Sequence, residues 1–137
     1  MSFMTDKLSF LDSNILIYLV ENNPDKKAKV LSIITTDCMI STQVVGENIN
    51  VCIKKLKMTK EKAFIHANEL LATFPIMTIQ PSTLELGIII CNKYQLSWWD
   101  SLIVSTALEN NCEILYSEDM QDGLVIEKRL TIVNPFR

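Results

Sequence analysis

The chain has one histidine, and its four cysteines are scattered with no C-x-x-C pair among them. A Ser–His–Asp hydrolytic set and a Cys/His zinc site both need more than that. Cys38, Cys52, Cys91 and Cys112 each lie in or beside an apolar segment, the setting of buried thiols that behave as small hydrophobes. Only three glycines occur, and no Gly-rich run of the Walker or dinucleotide-binding kind, which excludes nucleotide binding through such a loop. Low Gly and Pro beside 48 % hydrophobic residues exclude a disordered chain. No apolar run approaches the ~20 residues that cross a bilayer, so no membrane-spanning helix is expected. The opening MSFMTDKLSF has no basic segment ahead of a long apolar core, so no secretory signal is expected and the cytoplasm is the expected location. A large excess of one charge is missing too: the net charge is −3, which argues weakly against nucleic acid as a partner.

What is present is a regular alternation of short apolar runs and helical patterns. Leu8 to Leu11 has strand length, followed by Asp12-Ser13-Asn14 and an apolar helix over Ile15 to Val20. Asn22-Asn23-Pro24-Asp25 is a turn, and a helix is expected from Pro24 with Ala28, Leu31 and Ile33 or Ile34 inward. Cys38 to Ile40 is the next strand. A helix opening at Ser41-Thr42 runs to about Lys57 along a stripe of Val45, Ile49, Cys52, Ile53 and Leu56. Thr59 caps a further helix, in which His66 reads as structural. Phe74 to Ile79 predicts a third strand, and Ser82-x-x-Glu85 a capping box for a helix through Leu86, Ile89, Ile90 and Tyr94. Ser97-x-x-Asp100 has the same form, with Asp100, Ile103, Val104 and Ala107 on one helix face. Glu113 to Tyr116 reads as a buried strand and Leu130 to Val133 as the last strand. Strands alternating with helices imply one α/β domain over residues 1–137, with a mostly parallel sheet and helices on both faces.

The acids collect at the strand–helix junctions, which share one edge of a parallel sheet, where α/β proteins bind ligands. Each has a plain reading beside the functional one. Asp12 and Ser13 suit a helix N-cap. Glu47 lies off the apolar stripe of its helix, near Gln43, Asn50 and Lys54, and periodicity alone reads it as solvated. Lys54, Lys55, Lys57, Lys60 and Lys62 form a basic run that is either a solvated face or a contact for phosphates. Converged carboxylates repel one another unless a cation neutralises them. Mg²⁺ and Mn²⁺ prefer oxygen ligands, and such ions promote phosphodiester cleavage. If four of the 16 acids form one metal site, the other 12 stand against 13 Lys and Arg, and the remaining surface is close to neutral.

Four segments, FLDSNILIYL, ISTQVVGEN, LSWWDSLIVSTALENN and ILYSEDMQDG, resemble in order and spacing the motifs of the PIN-domain family, in particular the VapC-type toxins of bacterial and archaeal toxin–antitoxin pairs. The resemblance spans nearly the whole chain. It implies a three-layer α/β/α sandwich and an endoribonuclease dependent on Mg²⁺ or Mn²⁺. Carried over residue by residue, it makes Asp12, Glu47, Asp100 and Asp119 the catalytic, metal-holding acids, and so moves Glu47 from the solvated reading to the metal site. Ser117 matches a hydroxyl position two residues before the last acid, and Asn14 a polar position of the first motif. Asp122 falls where the family varies and is grouped with the supporting residues. An RNA substrate, a small antitoxin that covers the site and a homodimer are implied in the same way; on the phosphate-contact reading of the basic run, Lys54, Lys55 and Lys57 are the candidate RNA contacts. Two other readings stand beside it. One is a non-catalytic module of the same fold that binds RNA or protein. The other is a Mg²⁺-dependent phosphohydrolase of small esters, a chemistry that often uses Asp-x-Asp, where this chain has Asn14 in place of the second Asp.

Overall fold

The structure is a computed structural model that describes residues 7–137. Most of the opening read against a secretory signal, residues 1–6, lies outside the described residues. Six strands, β1 (Ser9–Leu11), β2 (Cys38–Ser41), β3 (Ile76–Met77), β4 (Ile114–Tyr116), β5 (Val125–Ile126) and β6 (Leu130–Val133), form one sheet in the order β3–β2–β1–β4–β6–β5. The pairings are parallel except that β5 runs antiparallel to β6. Six helices flank the sheet: α1 (Ser13–Leu16), α2 (Pro24–Ile34), α3 (Thr42–Lys54), α4 (Lys60–Thr73), α5 (Pro81–Tyr94) and α6 (Trp98–Glu109). This is the three-layer α/β/α sandwich that the alternation implies.

The central strand β1 is buried at every residue, as a sheet covered on both faces requires. From β1 the chain steps outward to β2 and β3, then returns to place β4 on the other side of β1. The strand order therefore reverses between β1 and β4, and a crevice opens beyond their carboxyl ends. Asp12 ends one of these strands and Ser117 the other.

Several elements differ from the sequence expectation, each for a local reason. The third strand is only two residues long. The Phe74 N–H still closes the last turn of α4 on the Leu70 carbonyl, and Pro75 has no N–H to give a ladder. The capping box of α5 joins Gln80 to Thr83 rather than Ser82 to Glu85, because Pro81 occupies the first helical position and makes its predecessor the N-cap. α2 turns Val30 and Ile33 inward and leaves Ala28 and Leu31 exposed, and α5 buries Ile90 but not Ile89. The first helix is one α turn followed by a 3₁₀ turn over Ile17–Leu19, and α3 stops at Lys54, short of Lys57. Strand β5 has no counterpart in the sequence reading. It reaches β6 through a turn in which Glu127 and Lys128 both have positive φ, a shape usually signalled by Asn-Gly. Here the turn is held from outside: the Tyr94 hydroxyl accepts the Glu127 N–H at 2.9 Å and donates to its carboxylate at 2.7 Å.

α6 is buried from Ser101 to Leu108, not along one stripe, so its hydroxyls must bond locally. Ser105 donates to the Thr83 carbonyl at 2.7 Å and Thr106 to the Leu102 carbonyl at 2.8 Å. All four cysteines are free, and burial, with a smaller push from Asp37, raises Cys38 to about 11 and Cys112 to about 12. The protein is therefore expected to melt at the same temperature with and without reductant; a clear drop on reduction would show that a disulfide contributes.

Candidate functional site

A cleft of about 310 Å³ opens at the carboxyl edge of β1 and β4. Asp12, Glu47, Asp100 and Asp119 all line it, together with Ser13, Asn14 and Glu118. Four different elements bring these acids together. Asp12 follows β1 and is the N-cap of α1, so one residue both caps that helix and lines the cleft. Its carboxylate accepts the Ser13 N–H at 2.7 Å and the Ser117 hydroxyl at 2.9 Å. Glu47 projects from α3, off the buried stripe of that helix, and the cleft is what that side faces. Gln43 donates to the Glu47 carboxylate at 3.2 Å and to the Trp99 carbonyl at 3.1 Å, which ties α3 to the first turn of α6. Asp100 stands in that turn, where its N–H donates to the Ser97 hydroxyl at 3.1 Å.

Asn14 joins the two halves. Its amide nitrogen donates to Asp12 at 3.3 Å and to Asp119 at 3.2 Å, while its oxygen accepts the Glu118 N–H at 3.0 Å. A second Asp at position 14 would add another repelling charge; Asn supplies donors instead. Ser117 also accepts the Met120 N–H at 3.3 Å, so one hydroxyl both donates to Asp12 and shapes the turn that carries Asp119.

The electrostatics match this placement. Asp12 is 4 % exposed. Burial is the main cause that lifts its carboxyl to about 6; bonds from Ser117 and Ser13 pull the other way, and the charges of Asp100 and Glu47 push it further up. Asp100 is raised first by burial, against its bond with Ser97, with Asp119 adding to the rise. Asp12 and Asp100 thus each feel another carboxylate across the cleft. Among the described residues, no three Asp, Glu, His or Cys side chains meet at one ligating point. The four acids ring the cleft instead, the arrangement that mutual repulsion favours. An all-oxygen, anionic set of this kind suits a hard divalent cation such as Mg²⁺ or Mn²⁺ better than zinc, which favours Cys and His ligands.

Three of the sequence candidates lie elsewhere. Asp122 does not line the cleft; its carboxylate accepts the Asn134 N–H at 2.7 Å and fixes the chain after β6. Lys54 and Lys57 are exposed outside the cleft, and only Lys55 of the three reaches its rim. Other residues support the site although the sequence reading gives them no role there. Asn48, fully buried, donates to the Ser13 carbonyl at 3.2 Å and meets His66 Nε2 at 2.9 Å. His66, whose pKa is lowered mainly by burial, is thus a buried prop beneath the Asp12 turn. Tyr18, within the segment FLDSNILIYL, and Lys26 bond Glu118, a role the sequence alone marks for neither.

Parallel strands, a reversal of strand order and an acidic cleft above it define a doubly wound α/β protein with an anionic centre at its crevice. The model of the PIN-domain family matches residues 9–121, a span that holds all four cleft acids, and the chain belongs to that family. Among curated protein sequences none matches it. Solved structures share its fold. A toxin–antitoxin complex from Klebsiella pneumoniae is 24 % identical, with a TM-score of 0.69 over 93 % of this chain and 97 % of the other. VapBC2 from Rickettsia felis, bound to a DNA fragment from its promoter, is 19 % identical, with a TM-score of 0.70 over 93 % and 99 %. VapC20 of Mycobacterium tuberculosis, a sarcin–ricin-loop-cleaving toxin, is 14 % identical, with a TM-score of 0.68 over 81 % and 89 %.

Proposed function

We propose that this PIN domain is a metal-dependent endoribonuclease and the toxin of a toxin–antitoxin pair, acting in the cytoplasm. The observation that carries the reading is the convergence of Asp12, Glu47, Asp100 and Asp119, from four elements, on one cleft. The toxins among its structural likenesses support the RNA substrate and the antitoxin partner.

A bound Mg²⁺ or Mn²⁺ would supply Lewis-acid polarisation of the scissile phosphate and neutralise charge developing on it. The chain's part is to hold that charge set in place. Asp12 is fixed by Ser117 and Ser13, Asp119 by Asn14, and Glu47 by Gln43. Lys55, on the rim, is placed to meet a phosphate of the RNA backbone beside the cleft. Changing Lys54, Lys55 and Lys57 together to Gln should weaken RNA binding and flatten its salt dependence, with Lys55→Gln alone giving most of the change. An unchanged salt slope would return the whole run to a solvated face.

Partner binding has support in the exposed apolar side chains. Leu84, Ile88 and Ile89 of α5 lie open, with Trp99 of α6 62 % exposed; Leu31 of α2 and Phe64, Ile65 and Leu71 of α4 are open as well. Exposed apolar side chains grouped along one helix, as on α5, are candidate contacts for another chain, and an antitoxin and a second copy of this chain are the occupants we propose. Among the described residues no helix is long and apolar enough to cross a membrane.

The test is incubation with structured RNA in Mn²⁺, in Mg²⁺ and in excess EDTA. Cleavage that requires the cation is expected. Full activity in EDTA would overturn the metal mechanism, and binding without cleavage in any condition would favour the non-catalytic module.

A further inference from the structure

We propose that Lys26, braced by Tyr18, is a positioning residue that neutralises and pins Glu118 at the wall of the acidic cleft and so fixes the loop bearing Asp119; this rests on the nuclease reading of that cleft. Glu118 lines the same cleft and directly precedes Asp119. It is one of six carboxylates that line the cleft, Glu21 being another, and its side chain is gripped. It accepts the Tyr18 hydroxyl at 2.6 Å and forms an ion pair with Lys26. Lys26 in turn donates to the Tyr18 hydroxyl at 3.2 Å. Its ammonium lies 4.9 Å from the centre of the Tyr18 ring and 5.0 Å from that of Phe136, two rings that pack edge to face at 5.2 Å. A cation held by two aromatic faces, a phenol and a carboxylate has little freedom to move.

The backbone of the same residue is held too. The Glu118 N–H donates to Asn14, whose amide nitrogen reaches Asp119. A displacement of Glu118 therefore passes to Asp119 both through the chain and through Asn14. The Lys26–Glu118 pair is partly exposed, and exposed pairs contribute little to stability. Its consequence lies in where the loop and the charge sit.

Lys26→Met tests this. It frees a carboxylate beside the cleft, so RNA cleavage in Mn²⁺ should fall about tenfold or more, the scale typical of groups that support metal-holding residues. Mn²⁺ affinity, titrated by calorimetry with the metal alone, should not weaken, because the freed charge attracts cations. Simple structural damage would weaken both. Adding Glu118→Gln to Lys26→Met removes the stray charge and should return cleavage to within about threefold of the parent, the coupling expected of residues in contact. Lys26→Arg should behave as the parent. In metal-free protein, the Glu118 and Met120 amides should exchange faster with solvent in Lys26→Met and at the parent rate in Lys26→Arg. Lys26→Met cleaving like the parent, a double variant as inactive as the single one, or unchanged amide exchange would each overturn the proposal. Exchange needs no nuclease activity. Faster exchange in Lys26→Met beside a parent that cuts no RNA would leave the positioning role standing and the nuclease reading fallen.

Discussion

Asp12→Asn is expected to abolish RNA cleavage in Mn²⁺, by at least about a thousandfold, or about 4 kcal/mol of barrier. Asn keeps the shape of the side chain and can still accept the Ser13 N–H, so α1 retains its cap. What it loses is the negative charge at the most buried of the four acids. The amide must also place an NH₂ or an oxygen where Asp12 now accepts from both Ser117 and Asn14 through one oxygen. The measurement is single-turnover cleavage of a structured RNA by parent and variant, with circular dichroism to show that both are folded. Retention of more than about a tenth of the parent rate would remove Asp12 from the chemistry.

The second large effect is on stability against pH. The Asp12 carboxyl titrates at about 6 in the folded protein and at 3.8 as an unperturbed group. The folded state thus holds this proton more tightly than the unfolded state. For a raised carboxyl, stability is greatest below the unfolded value, falls as pH rises between the two values, and is flat above the folded one. Across that window the loss is roughly 2–3 kcal/mol. Glu118 and Glu127 act in the opposite sense, since Lys26 and Tyr18 outweigh burial at Glu118, and Lys93 and Tyr94 hold Glu127 low. The clean quantity is therefore the stability difference between parent and Asp12→Asn in EDTA. The variant should gain on the parent by roughly 2–3 kcal/mol as pH rises from 4 to 7. Urea unfolding at several pH values gives this difference, and a constant value over that range would contradict the buried, charge-repelled state of Asp12.

Asp12, Asp100 and Asp119 could be placed from the sequence because strand ends and helix starts are local features, and a parallel sheet gathers them on one edge whatever the details. The family motifs singled out Glu47, and the structure puts it on the cleft wall. Periodicity put Glu47 off the buried stripe, as it is, but could not point to the cleft, because it separates core from non-core only. It failed on α2 and α5, where the apolar residues outnumber the positions that face the sheet. The turn at Glu127-Lys128 was illegible because Tyr94, far away in sequence, supplies the support that Asn-Gly would give locally. The same holds for Lys26 and Tyr18: no local pattern announces that a lysine on α2 meets a glutamate about ninety residues later. Asp122 and Asp119 look alike as sequence, three residues apart after the same strand, yet one faces the cleft and the other caps the chain after β6.

In the proposed function, four carboxylates from four elements hold one cation. This arrangement is tested most directly by melting curves in EDTA and in millimolar Mn²⁺ for the parent and for Asp12→Asn, Glu47→Gln, Asp100→Asn and Asp119→Asn. A cation that binds only the folded state raises the parent's stability, and each variant should lose most of that gain. Asp100→Asn decides between site and cap. As a member of the cluster it should be equally stable in EDTA, or up to ~1–2 kcal/mol more stable, because a repelling charge is gone. As a helix-capping acid its loss should instead cost ~0.5–1 kcal/mol. An Asp100→Asn protein that is less stable in EDTA yet gains as much from Mn²⁺ as the parent would contradict the account.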